Sequence, residues 1–213
     1  GIEVEHFFAT MNGQKRTYEE RLYAPYTHKT QSKILKNGFN GIYGFPSRGK
    51  LWCNSQLKVS VLDKRNRNRI SYLGIAADEP NRFHNLTDTK RSPLVEAGWT
   101  EADCRRWCEE RDLLSPIYTT ATRGGCWFCH NQGIEQLRLL RKTYPNLWKL
   151  LLKWDKDSPV SFHSDGHTVR DYDLRFQAED LGLVPTDRKF RWKMLTGDNL
   201  IAVTKRNLLK LLE

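Results

Sequence analysis

Two cysteines separated by two residues are the strongest chemical signal in this sequence. Cys126 and Cys129 lie in the stretch GCWFC, and Gly124 and Gly125 precede the first of them. This spacing brings both sulfur atoms to the same side of one turn, where they could bind a single metal ion or cluster. The glycines give the backbone the freedom that such a turn needs. A redox dithiol and a pair of buried structural thiols are the alternatives that the residues leave open.

Further ligands for a metal must come from elsewhere, because a CxxC motif supplies only two and thiolate sites are usually four-coordinate. Cys53, in LWCNSQLK, is the candidate third ligand, and His130 is an alternative for the fourth position. Cys104 and Cys108 lie four residues apart on the face of a predicted helix that carries Trp107. They could also bind metal, but we favour a place in the core, where small apolar cysteines are common.

Two basic segments are candidates for binding an anion. Arg48 and Lys50 flank Gly49 just before Cys53, and Lys58 follows it. Cations beside glycine-rich backbone suit phosphate or sulfate, and a solvated basic loop is the alternative.

The second segment is the turn GIAADEPNR, which follows a predicted strand. Parallel α/β sheets place ligands at the carboxyl ends of their strands. Arg82 could meet an anion there, and Asp78 and Glu79 could meet a metal ion or a ribose. The alternative interpretation is that these polar residues only stabilise an ordinary turn around Pro80.

The charge and composition of the chain indicate which classes of binding partner it has. The 213 residues carry a net charge of +10, and residues 48–91 hold ten Lys and Arg against four acids. Such an excess favours an anionic partner, either a nucleotide or a nucleic acid. No apolar run approaches the roughly 20 residues of a membrane span. The odd number of cysteines, five, and the lack of a leader predict a cytoplasmic protein with reduced thiols.

Hydrophobic periodicity and capping residues predict a mixed α/β chain. Residues 11–50 are predicted to form an extended active-site loop that contains some helix. We expect strands at 2–8 and 70–76, the latter buried in a parallel sheet, and helices at 100–111, 134–142, from Pro145, from Thr168 and in the amphipathic stretch near the end of the chain.

The order of these segments resembles the phosphoadenosine-phosphosulfate (PAPS) reductase family. GFPSRGKLWCNSQLK is similar to the substrate loop of that family, and YLGIAADEPNR to its strand and acidic turn. SPLVEAGWTEADCRRWCEERDL with SPIY resembles the following helix and loop, and GCWFCHNQ resembles the CxxC of its cluster-bearing and phage-type members. The resemblance covers about residues 38–135 well and the flanking residues loosely.

This resemblance implies a fold and a set of ligands. The fold is an adenine nucleotide α-hydrolase-like parallel sheet with helices on both faces, with residues 1–135 forming the nucleotide-binding part and residues 136–213 a helical, basic extension. It implies a helix at 58–62, where propensity alone favours a strand. It also implies that Arg48, Lys50, Lys58 and Arg82 bind the substrate, with Arg48, Lys58 and Arg82 facing one cleft. The same resemblance implies that Cys53, Cys126 and Cys129 hold an iron–sulfur cluster or zinc.

The sequence departs from the family pattern in three places. It contains no Ser-Gly-Gly-x-Asp-Ser phosphate loop, no cysteine after Cys129, and Trp52–Cys53 where cluster-bearing reductases have a cysteine pair. Together with a start at Gly1 in a strand-like segment, this predicts a fragment whose sheet is incomplete at the N-terminus and which does not hydrolyse ATP alone.

The predicted function is action on an adenine nucleotide, ATP or adenylyl sulfate, in sulfur transfer or nucleotide activation. The first alternative is reduction of PAPS or adenylyl sulfate. The second is a metal-bearing accessory protein that binds or modifies nucleic acid, a reading that the basic charge and the CxxC motif also support.

Overall fold

The chain forms two compact units. The computed structural model describes residues 5–11, 13–26, 41–47, 51–119 and 124–210. Unit 1 comprises Gly1–Thr17 and Trp52–Gly124, and unit 2 comprises Tyr18–Leu51 and Gly125–Glu213. The last boundary between the two units therefore lies between Gly124 and Gly125. The predicted boundary at residue 135, between a nucleotide-binding part and a helical extension, stays a prediction. About 50% of the described residues are helical and 7% are in strands, so helices dominate the α/β mixture in this part of the chain.

Unit 1 is built from short elements around a small core. Its strands are β1 (Thr10–Met11), β2 (Gln14–Lys15), β5 (Ser71–Tyr72) and β6 (Lys90–Arg91). Its helices are α2 (Trp52–Asn54), α3 (Ser60–Arg65), α4 (Pro93–Glu96) and α5 (Glu101–Glu109), with a π-helical turn at Ser55–Val59 and 3₁₀ turns at Pro80–Asn85 and Pro116–Thr119. Its buried apolar side chains, within the described residues, are Ala9, Trp52, Ile75 and Ala76.

The predicted strand at 70–76 is present but short. Only β5 forms, and it pairs in parallel with β6, with Ser71 opposite Lys90 and Tyr72 opposite Arg91. The expected parallel pairing is thus confirmed, but the expected burial of the strand is wrong, since Tyr72 is 66% exposed. Burial begins after the strand, at Ile75. A complete parallel sheet is not seen in the described residues.

Residues 52–65 form one helical stretch through α2, the π-helical turn and α3. The helix that the family resemblance implied at 58–62 is therefore confirmed against the strand propensity of KVSVL. A helix satisfies its own backbone hydrogen bonds, whereas a strand requires a neighbouring strand. Between Ser55 and Arg65 no side chain is buried.

The helix predicted from Thr100 is confirmed as α5. The Thr100 side chain accepts a hydrogen bond from the backbone N–H of Asp103, and the Asp103 carboxylate accepts one from the N–H of Thr100, which is a complete capping box. No residue of α5 is buried, and Cys104 and Cys108 are only partly covered. The prediction that these two cysteines belong to the core is therefore wrong.

The strand predicted at 2–8 is wrong for the part that the structure describes. Residues 5–9 have no regular structure, and the first strand, β1, begins at Thr10 and pairs antiparallel with β2. Residues 1–4 lie outside the described part of the chain.

Unit 2 is mainly helical. Its helices are α1 (Tyr18–Leu22), α6 (Ile134–Thr143), α7 (Pro145–Asp157), α8 (Val169–Asp180) and α9 (Asp198–Lys210), with a 3₁₀ turn at Trp192–Met194. Strands β3 (Pro25–Tyr26) and β4 (Gly41–Ile42) pair antiparallel. The helices predicted from Ile134, Pro145 and Thr168 are confirmed. α9 includes the first part of the predicted amphipathic stretch at 208–212, and residues 211–212 lie outside the described part of the chain.

The larger core lies in unit 2 because three of its helices bury apolar stripes. α6 buries Leu137 and Leu140, and α7 buries Trp148, Leu151 and Trp154. α8 buries residues that include Val169, Tyr172 and Phe176. No helix in the described residues is long and apolar enough to cross a membrane.

A glycine allows the loop after β4 to pack closely against the end of α7. Gly44 has a φ of +65°, and a Cβ added there would lie 2.6 Å from the Ser158 Oγ. The same Ser158 Oγ accepts a hydrogen bond from the Phe45 N–H at 3.0 Å. Any larger residue at position 44 would be strained and would collide with this contact.

Candidate functional site

The CxxC segment forms a tight turn in unit 2. The Cys129 N–H donates to the Cys126 carbonyl at 3.0 Å, and the Gln132 Nε2 donates to the same carbonyl at 2.7 Å. Cys126 is exposed and Cys129 is partly buried, and neither forms a disulfide. The turn that the spacing predicted is therefore present, with free thiols.

The two residues between the cysteines anchor this turn to the core. The Trp127 ring stacks on Trp154 of α7, with ring centroids 5.4 Å apart. The Phe128 ring packs edge-on against Trp154 at 5.9 Å and lies 4.1 Å from the Tyr18 ring of α1. Both central side chains therefore pack inward and hold the conformation of the turn.

The described residues of the same unit include three histidines, His130, His163 and His167. His130, directly after the CxxC, is buried. Burial lowers the pKa of His163, and the nearby imidazoles of His130 and His167 lower it further. The lowered pKa favours the neutral imidazole, although the Asp165 carboxylate opposes the shift. The neutral form is the one that can bind a metal. The His167 ring stacks on Trp192 at 3.8 Å.

The described residues do not complete a metal site around the CxxC. No group of three or more His, Cys, Asp or Glu side chains among them is arranged to hold a metal ion. Cys126 and Cys129 supply two thiols from unit 2, while Cys53 is a partly buried residue of unit 1. The assignment of Cys53, Cys126 and Cys129 to one cluster or zinc ion stays a prediction, and no chemical step is derived from it.

The acidic turn after β5 is held together by its own side chains. The Glu79 carboxylate accepts hydrogen bonds from the Ala76 N–H at 3.1 Å and from the Arg82 Nη1 at 2.6 Å. The hydrogen bond from Arg82, with that from Ala76, lowers the pKa of Glu79. The Asp78 carboxylate accepts from the Glu101 N–H at 3.0 Å, at the first turn of α5. Both acids thus have structural roles in the turn.

Ser92 supports this turn, and no motif in the sequence singles it out. Its side chain is 1% exposed, and the Oγ donates to the Ile75 carbonyl at 2.6 Å. The same Oγ accepts from the Val95 N–H and so caps α4. Ser92 therefore connects the strand β6 and helix α4 to the turn. A serine before a proline predicts a cap, but its long-range acceptor cannot be read from the sequence.

The predicted anion-binding cations fall into two groups. Lys58 and Arg82 both belong to unit 1, where Lys58 is exposed and Arg82 is paired with Glu79. Arg48 and Lys50 lie outside the described residues. A single cleft for Arg48, Lys58 and Arg82 therefore stays a prediction.

Comparison with protein-family models, with curated proteins and with solved structures finds no match to this chain.

The different environments of the thiols predict an order of reactivity. Burial raises the pKa of the Cys104 thiol, whereas Cys126 is exposed. Since the thiolate is the reactive form, we expect iodoacetamide to alkylate Cys126 several-fold faster than Cys104. Peptide mass spectrometry after short pulses measures both rates in one sample. Equal rates for the two residues would contradict this assignment.

The same measurement tests metal binding. If the CxxC pair binds zinc or iron, loading the protein with that metal protects Cys126 and Cys129 and leaves Cys104 reactive. Elemental analysis should then find the metal in the wild type and not in Cys126→Ser. Unchanged alkylation in the presence of both metals would reject the CxxC as a metal site.

Proposed function

We propose that this chain is a PAPS reductase-family protein that acts on an adenine nucleotide, ATP or adenylyl sulfate, in sulfur transfer or nucleotide activation. The observation that carries the proposal is the parallel pair β5–β6, together with the ordered turn Ala76–Arg82 that follows β5. Ligands of parallel α/β sheets bind at this end of the strands. The helix at residues 55–65, which the family pattern requires and local propensity opposes, supports the proposal. So does the capped helix α5 after the turn.

The proposal also includes the type of sheet. We propose that β5 and β6 are part of an adenine nucleotide α-hydrolase-like sheet with helices on both faces. The pairing of Ser71 with Lys90 supports this, because a parallel pair requires a crossover connection of the kind found in such sheets.

Arg82 is the residue best prepared for an anionic substrate. Its Nη1 alone contacts Glu79, at 2.6 and 2.8 Å to the two oxygens. The Nε and Nη2 groups have no hydrogen-bond acceptor within the described residues. The Glu79 contact therefore orients the guanidinium and leaves a two-donor edge, which suits a phosphate or sulfate group.

The role proposed for Lys58 is to supply an additional positive charge. Its ammonium group is exposed and forms no ion pair with a described carboxylate. A lysine of this kind attracts a nucleotide phosphate as a point charge. The sequence lacks a Ser-Gly-Gly-x-Asp-Ser motif, so few backbone N–H groups are expected at the phosphates, and we expect millimolar binding and no ATP hydrolysis by this chain.

The proposal predicts weaker nucleotide binding when Arg82 is replaced. We expect Arg82→Gln to weaken binding of adenylyl sulfate about tenfold, because a hydrogen bond to a charged group contributes about 1.5 kcal/mol or more. Ligand-observed NMR titration at low salt measures affinities in this range. Lys58→Gln should weaken binding less, by roughly threefold, since it removes one solvated charge.

Arg105→Gln is the matched control. Arg105 is 53% exposed and pairs with Glu109 one helical turn away, much as Arg82 is 51% exposed and pairs with Glu79. It should leave nucleotide affinity unchanged. The proposal fails if the wild type binds neither ATP nor adenylyl sulfate, or if Arg105→Gln weakens binding as much as Arg82→Gln.

A further inference from the structure

Two neighbouring phenylalanines stand exposed at the edge of a groove in unit 1. Phe7 is 43% exposed and Phe8 is 52% exposed. Both line a groove of about 300 Å³, whose other wall is formed by Gln56, Ser60 and Lys64 of the helical stretch. Large aromatic side chains exposed side by side are typical of binding surfaces rather than of ordinary solvent-exposed segments.

Each of the two rings already lies next to a cation. The Lys15 Nζ lies 3.7 Å from the centre of the Phe8 ring, and the Arg65 Cζ lies 4.9 Å from the centre of the Phe7 ring. The Arg65 Nη2 donates to both carboxylate oxygens of Glu5, at 2.8 and 2.7 Å, which positions the guanidinium beside Phe7. The cations thus hold the rings in place while much of each ring stays accessible.

The helical wall of the groove adds positive charge that no described acid neutralises. Lys64 lines the groove and forms no ion pair with a described carboxylate. Its neighbour Asp63 is paired with Lys90, at 3.3 Å. Arg67 and Arg69 follow the end of α3 and do not line the groove; both are exposed and unpaired within the described residues.

We propose that this groove binds single-stranded nucleic acid, with bases stacked on Phe7 and Phe8 and phosphates held by Lys64, Arg67 and Arg69. Aromatic side chains beside a basic groove are the combination that proteins use for single strands without sequence preference. A double helix would present its phosphates to the cations but not the faces of its bases to the rings. An acidic peptide would likewise leave the rings unused.

This surface is distinct from the proposed nucleotide site. Neither Lys58 nor Arg82 lines the groove. The two proposals can therefore fail separately, and Arg82→Gln should leave binding of an oligonucleotide unchanged.

Fluorescence anisotropy with a labelled oligothymidine of twelve nucleotides tests the proposal on the full chain. We expect Phe8→Ala to weaken binding at least about fivefold at every salt concentration, which is the lower limit for loss of one stacked base. We expect Lys64→Gln to reduce the slope of log K against log salt by about 0.7, the value for one phosphate contact with a single strand. The two variants therefore separate stacking from charge.

Unit 2 offers a matched control for each variant. Tyr144→Ala removes an aromatic ring that is 55% exposed and is the control for Phe8→Ala. Lys142→Gln removes an exposed lysine and is the control for Lys64→Gln. Circular dichroism confirms that each variant is folded. Selective effects of Phe8→Ala and Lys64→Gln support the proposal. It is overturned if the wild type does not bind at low salt, if a duplex of equal length binds as tightly, or if the control variants weaken binding equally.

Discussion

Replacing Glu179 with alanine should lower the free energy of unfolding by about 3 kcal/mol, because it leaves two arginines without their common carboxylate. The Glu179 side chain is only 4% exposed. It accepts from the Arg138 Nε and Nη2 at 2.7 and 2.8 Å, and from the Arg175 Nε at 2.7 Å. These contacts raise the pKa of Arg138 further above its usual range. Urea denaturation followed by circular dichroism measures the loss.

Glu135 provides a control on the same arginine. It also pairs with Arg138 but is 79% exposed. Solvent screens an exposed pair, so Glu135→Ala should cost less than about 1 kcal/mol. If both variants cost the same, burial of the carboxylate is not what makes the Glu179 network important.

Local hydrogen bonding made part of this fold predictable. The helix starts at Thr100 and Thr168 were predicted because an acid three residues further along completes a capping box, and both boxes form. The start of α7 at Pro145 was predictable for a similar reason, since proline at the first helical position loses no hydrogen bond. Each of these features depends on residues within one helical turn.

Features that depend on distant residues were not predictable from the sequence. The apolar run at 70–76 suggested a buried strand, but its strand residues are half-exposed or exposed and the buried residue Ile75 follows them. Burial of a strand is decided by what packs on each face, which periodicity does not reveal. The hydrogen bond from the Ser92 Oγ to the Ile75 carbonyl spans 17 residues and is invisible to local patterns.

The candidate sites also differ in whether they depend on local or on distant residues. The CxxC turn was predicted from spacing alone, and its hydrogen bond from Cys129 to Cys126 is present. The groove beside Phe7 and Phe8 was not predicted. It arises from a segment near the start of the chain meeting residues 56–65, and pairing across that distance requires the tertiary structure.

Replacing Asp155 with alanine should also destabilise the protein by about 3 kcal/mol, because buried hydrogen-bond donors lose their acceptor. Asp155 is buried in α7, and its carboxylate accepts from the Val169 and Arg170 N–H groups at 2.8 and 3.4 Å and from the Arg170 Nε at 2.8 Å. It therefore satisfies two N–H groups at the start of α8 that have no partner within that helix. Its negative charge also opposes the positive end of the α8 dipole. Alanine leaves these donors without an acceptor, at roughly 1–3 kcal/mol each when buried.

Two variants separate the contributions of Asp155. Asp155→Asn keeps an oxygen acceptor and the shape of the side chain but removes the charge, so we expect a loss of only about 1–2 kcal/mol. Asp171→Asn changes a more exposed acid, 45% exposed, at the same helix end and should cost at most about 1 kcal/mol. Urea denaturation of the three variants should therefore rank them Asp155→Ala, Asp155→Asn and Asp171→Asn in decreasing cost. An Asp155→Ala variant as stable as Asp171→Asn would show that the start of α8 does not depend on its contact with α7.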